Sequence, residues 1–280
     1  MPDVPLLSPL PASSSSLPAN LILARCRVPA DTAAIASVYL AAFRGSGFEY
    51  WWAPSAAAMR DWVELRFGVE DSAEALFKIV DEDGSGGEDE DGDGRQEERE
   101  GGKVVAFAKW NVPPGRIRDM LQGGRRMGEM TVGGTAAGGG GTDGAKAEWN
   151  GKGDVVATAG DMSAAEKKSR QKPPPGADVA AYEELSSGAK KLADKWGAKD
   201  KLGLSVLCVD PSYGGRGLGF MLLKTMLDVA DAEGVTAYVD ALRRATPLYE
   251  RHGFVAVDSI EYDGGSVVID IMIREPRRGS

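Results

Sequence analysis

The chain has 280 residues, 42% of them hydrophobic and 27% charged, with a formal net charge of -9 at pH 7 and a sequence pI of about 4.9. That length can bury a full hydrophobic core, and no run of about 18 apolar residues exists to span a bilayer as a helix. The charge sits in residues 81–102, DEDGSGGEDEDGDGRQEEREGG, whose eleven carboxylates and two arginines carry the whole excess; the near-neutral remainder has no basic stripe, which argues against nucleic acid and anionic membranes as partners.

Taken in chain order, residues 1–20 form a Pro/Ser-rich leader, expected to be disordered and without a secretory or mitochondrial targeting pattern, so the expected compartment is the cytoplasm. Residues 21–27, LILARCR, read as a strand. Asp31 then stands as the N-cap of a helix that places Ile35, Val38, Tyr39 and Ala42 on one face. An aromatic loop, Phe48, Tyr50, Trp51 and Trp52, leads to a second amphipathic helix over 57–67, with Met59, Trp62, Val63 and Phe67 in phase. The apolar runs 75–80 and 104–110 read as paired strands joined by the acidic loop 81–102. From about 112 to 178 the composition turns to Gly, Ala, Lys and Pro, with little apolar material to offset ordering entropy, and this insertion is expected to be disordered.

Order resumes with a helix over 180–196 and a continuous apolar run, LGLSVLCV, at 202–209, as a strand covered on both faces requires. A turn, DPSYGGRGLG, passes straight into a helix with Leu218, Leu222, Met226 and Val229 on one face and Gly234 at its stop. A strand over 236–240, a short helix over 246–252 and a hairpin of 254–262 with 267–273 across Gly264 and Gly265 complete the chain.

Several chemistries are disfavoured. Cys26 and Cys208 lie far apart inside apolar runs, where a thiol behaves as a small hydrophobe. Residues 89–100, DEDGDGRQEERE, fit the calcium-loop pattern position for position, but a glycine-rich stretch and a strand flank them where helices are needed. His252 is the only histidine, so no multi-histidine metal site can form; it is read as a surface residue, and no metal is expected.

A glycine turn between strand and helix turns backbone N–H groups toward the positive end of the helix, which suits phosphate. The dinucleotide spacing fails, because its third glycine would fall on Phe220 or Leu222. The nucleoside-triphosphatase form fails at Phe220, where it needs lysine. What remains, GGRGLG over 214–219 with VDPSY before it, MLL after it and LYERHGF later, resembles the GCN5-related N-acetyltransferase (GNAT) superfamily in order and spacing. The departures are Gly214, where that family usually carries Gln or Arg, and Leu242, where many members have Asn or Ser.

The resemblance covers 202–274 well and 21–110 in topology. It implies an α/β domain over 21–280 with a mixed, mostly antiparallel central sheet flanked by helices, and acetyl-CoA as co-substrate. By resemblance, backbone groups of Leu207, Cys208 and Val209 hold the pantetheine arm, and Gly214, Gly215, Arg216, Gly217, Leu218 and Gly219 hold the pyrophosphate. Tyr249 occupies the position whose hydroxyl serves the leaving thiolate. Glu49, in the aromatic loop, and Asp240, at the end of a strand beside the expected thioester, are the candidate general bases. The aromatic loop is read either as the wall of an amine pocket or as packing. The expected function is acetyl transfer to a primary amine of a small molecule, the alternatives being a silent acyl-CoA-binding module and a protein lysine or N-terminal acetyltransferase.

Overall fold

The computed structural model describes residues 18–69, 71–84, 102–122 and 170–277. The leader through residue 17, most of the acidic loop with its calcium-like motif, and the middle of the insertion lie outside them. In chain order the elements are β1 (Leu21–Arg25), α1 (Thr32–Phe43), α2 (Ala56–Phe67), β2 (Glu74–Asp81), β3 (Lys103–Asn111), α3 (Arg116–Gln122), α4 (Val179–Lys195), β4 (Leu202–Val209), α5 (Leu218–Glu233), β5 (Ala237–Leu242), α6 (Thr246–Arg251), β6 (Val255–Tyr262) and β7 (Val267–Arg274).

The strands form one seven-stranded sheet in the order β1-β2-β3-β4-β5-β7-β6. Every pairing is antiparallel except β4 with β5, which is parallel. A parallel neighbour requires a crossover, and α5 supplies it. Side-chain alternation then splits the core in two. Ala237, Val239 and Ala241 of β5 face α5, whose Leu218, Leu222, Leu223, Met226 and Leu227 are buried, whereas Tyr238 faces the α1, α2 and α4 side with Tyr39, Trp62 and Leu185. Removing Leu222, fully buried, from water contributes about 1.5–3 kcal/mol. A register irregularity between Ile79 and Val80 sets β2 out of step with β3 around Val105, which is how Val105 and Ala106 come to share one core.

Three expectations change. Asp31 precedes α1 but does not cap it: its carboxylate accepts from Arg27 N at 2.6 Å and pairs with the buried Lys78 at 2.7 Å. A buried ammonium without that partner costs more than an open helix end, so the tertiary pair wins. The insertion expected to be disordered over 112–178 is ordered at both ends, with α3 at one and, at the other, Lys172 O accepting from Trp62 Nε1 at 2.8 Å and Gln171 O accepting from Tyr182 Oη at 2.8 Å. His252 is buried, its ring 4.8 Å from that of Phe220 and its Nδ1 2.9 Å from Leu248 O.

Candidate active site

β4 is paired on one side along its length but on the other only at its start. Toward β3 the ladder runs to Val209; toward β5 it holds Leu202, Gly203 and Leu204 against Ala237, Tyr238 and Val239 and then stops. At the point of divergence the β3–β4 register slips between Lys109 and Trp110, leaving Ser205 without a cross-strand partner and exposed. A bulge of this kind bends a strand away from its neighbour. From Ser205 to Val209 the backbone groups turned toward β5 therefore have no strand partner among the described residues, and such groups require one. Leu207, Cys208 and Val209 lie in this stretch. The Cys208 side chain is buried and burial pushes its thiol far up, so what it offers a ligand is its backbone.

The glycine turn follows directly. Asp210 N donates to Val105 O at 2.8 Å, and its Oδ1 accepts from Ser212 N at 2.9 Å and Ser212 Oγ at 2.6 Å, tying the end of β4 to the turn. Gly214 N donates to Pro211 O at 3.1 Å. Gly215 and Gly217 have φ of +74° and +79° with open space where a Cβ would stand, so it is backbone conformation and not crowding that calls for glycine. Gly217 is the N-cap of α5 and provides no side-chain cap, which leaves the first turn at Leu218 and Gly219 open to an anion. At Gly219 a Cβ would make ordinary contacts, 3.5 Å from Leu248 Cδ2 and 3.7 Å from Leu207 Cδ2, so this position packs on α6 and β4 without itself requiring glycine. The Arg216 guanidinium stacks 4.6 Å over the Tyr213 ring, and no ion pair engages it among the described residues.

The residues that brace this turn carry no local sequence signal. Tyr213 Oη donates to Asp81 Oδ2 at 2.7 Å, and Asp81 Oδ1 accepts from Asn20 Nδ2 at 2.8 Å. The Tyr213 hydroxyl is the leading cause that holds the Asp81 carboxyl below the usual range. Lys103 joins from the other side, 3.0 Å from Asp210 Oδ2 and 5.5 Å from the Tyr213 ring centroid. Tyr213 and Asp81 are 132 positions apart, and no local pattern connects them.

Of the predicted catalytic residues, Tyr249 is buried on α6 with its ring 5.8 Å from Phe254, and its hydroxyl has no hydrogen-bond partner among the described residues. Burial, with the nearby Cys208 second, pushes its pKa well above the usual phenol value. Asp240 lies on the Tyr238 face of β5 and keeps solvent contact, while neighbouring groups strip part of its hydration and raise its carboxyl pKa; the hydrogen bond from Tyr238 Oη offsets part of that. Glu49 is placed differently: its carboxylate accepts from the backbone N–H groups of Gly45, Ser46 and Gly47 and so closes its own loop. No described contact joins it to Asp240 or Tyr249.

The aromatic loop is mostly packing. Trp51 is buried 5.3 Å from Trp62 and 5.0 Å from Tyr182, and Trp52 stacks on Tyr39 at 6.2 Å. Tyr50 Oη, like Trp51 Nε1 and Trp52 Nε1, is buried with no hydrogen-bond partner among the described residues. The Tyr50 pKa is pushed up to about 12 by burial first, then by Tyr262, Glu184, Asp263 and Asp178.

A family model described as the acetyltransferase (GNAT) family matches residues 149–254. That match contains β4, the glycine turn, α5, β5 and α6. An uncharacterized N-acetyltransferase of Schizosaccharomyces pombe is 31% identical over 106 residues, which is 35% of this chain and 45% of that protein, so the match spans less than half the relative's length. Among solved structures, the histone acetyltransferase HPA2 and related acetyltransferase of Corynebacterium glutamicum is 17% identical, covering 93% of this chain and 99% of that one with a TM-score of 0.49. A structure of agmatine N-acetyltransferase is 14% identical, covering 91% and 99%, also with a TM-score of 0.49.

Members of the GNAT family use acetyl-CoA as acetyl donor. No helix among the described residues is long and apolar enough to cross a membrane, and no group of three or more metal-ligating side chains occurs among them.

Proposed function

We propose that this chain is an acetyl-CoA-dependent N-acetyltransferase acting on the primary amine of a small molecule. The observation that carries the reading is the opening of β4 from Ser205 to Val209, which leads directly into an uncapped, doubly left-handed glycine turn at the head of α5. The residues present fit the donor, which supplies an activated thioester when bound. The β4 edge offers backbone partners to an amide-bearing arm, and the turn offers N–H groups and the positive end of a helix to a pyrophosphate. Arg216 adds a positive charge at the same place that no ion pair neutralises among the described residues.

In this reading the chain contributes mainly positioning, and it places the charge that develops against fixed dipoles. A backbone N–H of the open β4 stretch donates to the carbonyl oxygen as negative charge builds there. Asp240 accepts a proton from the acceptor ammonium, directly or through one water, and its raised pKa suits that task. Tyr249 directs its Oη–H toward the departing sulfur. A phenol of pKa about 10 is a weaker acid than a thiol of about 8.5, a gap of about 2 kcal/mol, and burial raises the phenol further. Tyr249 thus stabilises the thiolate by a hydrogen bond and keeps its proton. Glu49 has no part in this scheme, since backbone donors engage both of its carboxylate oxygens.

The experiment is acetyl-CoA-dependent thiol release against polyamines, arylalkylamines, amino sugars, amino acids and lysine peptides. Release stimulated by a small amine is the expected result. Release with lysine peptides alone would make the acceptor a protein, saturable acetyl-CoA binding without release would make the chain an acyl-CoA-binding module, and no binding would end the proposal.

A further inference from the structure

A cavity of about 280 Å³ opens at the end of the sheet where β2 begins, β3 ends and β4 begins. The glycine turn follows the other end of β4, about 23 Å away for a strand of eight residues. This cavity is therefore separate from the acetyl-transfer site.

Its wall carries Arg118, Lys199 and Lys201 beside Asp71 and Glu74. The acids are already engaged. Glu74 pairs with the buried Lys109 at 2.7 Å and with Arg170 at 3.4 Å, and Asp71 accepts from Ala73 N at 2.9 Å. Among the cations, Lys201 gives Nζ donors to Trp196 O at 2.7 Å and Gly197 O at 3.3 Å, at the C-terminus of α4. The other two retain binding capacity. Lys199 is exposed and has no ion pair among the described residues. Arg118 donates from one Nη to Val112 O at 2.6 Å, while its Nε is buried with no hydrogen-bond partner among the described residues.

Arg118 keeps Nη–H donors beyond the one given to Val112 O, and a guanidinium matches a planar carboxylate in a two-point bond. A phosphate dianion would meet stronger repulsion from the fixed carboxylates of Asp71 and Glu74 than a monoanion does. Val112 and Pro113 supply apolar wall, so the complementary ligand has an apolar body. We propose that this cavity is a binding site for a small monocarboxylate, held through Arg118 with Lys199 at the mouth.

The test uses the full-length protein and sodium hexanoate as probe, with hexanol and inorganic phosphate as comparators at constant ionic strength, read by titration calorimetry and by thermal shift. Hexanoate is expected to bind saturably and raise the melting temperature, hexanol is not, and phosphate is expected to bind at least about tenfold more weakly. Arg118→Gln should weaken hexanoate by about tenfold or more, and Lys199→Gln, at an exposed position, should weaken it severalfold with the unliganded melting temperature unchanged. Hexanoate binding unaffected by both substitutions would place the ligand elsewhere and overturn the assignment. So would phosphate binding as tightly as hexanoate, or no saturable hexanoate binding at all. None of these readouts depends on acetyl transfer.

Discussion

Tyr249 is a buried phenol with no protein partner for its hydroxyl among the described residues, placed beside the open half of β4. If that hydroxyl serves the departing sulfur, Tyr249→Phe will lower kcat by about ten- to a hundredfold while the dissociation constant for acetyl-CoA moves less than about threefold, because the bond strengthens only as charge builds on sulfur. Steady-state kinetics paired with a binding isotherm check this, and equal losses in both would remove the role. Residue identity showed in the sequence which groups can do chemistry, but not what they touch. Glu49 carried the right functional group and is used to close a loop. Asp31 has a capping residue's identity and position and pairs instead with Lys78, a strand residue on β2. In both cases a partner decides, and for Asp31 it comes from an element that no local window contains.

Among the elements, β4 was legible to the residue, because a continuous apolar run bounded by Lys201 and Asp210 has few alternatives. The turn and α5 were legible for the same reason, since glycine and helix-former patterns are local. What was not legible is the brace behind the turn. Asp81 closes β2, Tyr213 lies in the turn after β4, and Asn20 precedes β1, so three distant pieces of chain set the position of Arg216 through the Tyr213 ring. Removing the Tyr213 hydroxyl leaves the ring stack but frees the turn from β2. Tyr213→Phe is therefore expected to raise the KM for acetyl-CoA by about three- to tenfold with kcat within a factor of two, a binding effect spread equally over ground and transition states. A fall in kcat with unchanged KM would show that the brace acts on the chemistry.

For the molecule as a whole, His252 links the α5 and α6 layer to acid stability. Burial lowers its pKa, with the backbone bond to Leu248 partly opposing that and Arg251, Arg274 and Arg277 adding to the lowering. A depressed folded pKa means that the unfolded chain takes up the proton first as pH falls below 6.5. The stability present above that pH is then lost as pH drops through the folded value. The melting temperature is expected to decline between pH 7 and about pH 5, and His252→Gln should flatten that decline even if it lowers the plateau. A parallel decline in the variant would assign the effect to the carboxylates.

The order of the strands has a separate implication. β1, β2 and β3 are consecutive in the chain, as are β4 to β7, and the two groups meet along a single ladder between β3 and β4. A chain cut between residues 122 and 170 would keep every other strand pairing within one fragment, with β1 to β3 in the first piece and both the glycine turn and Tyr249 in the second. The fold is thus divided as a two-part complementation system would be, with the seam running along the strand that opens to form the site.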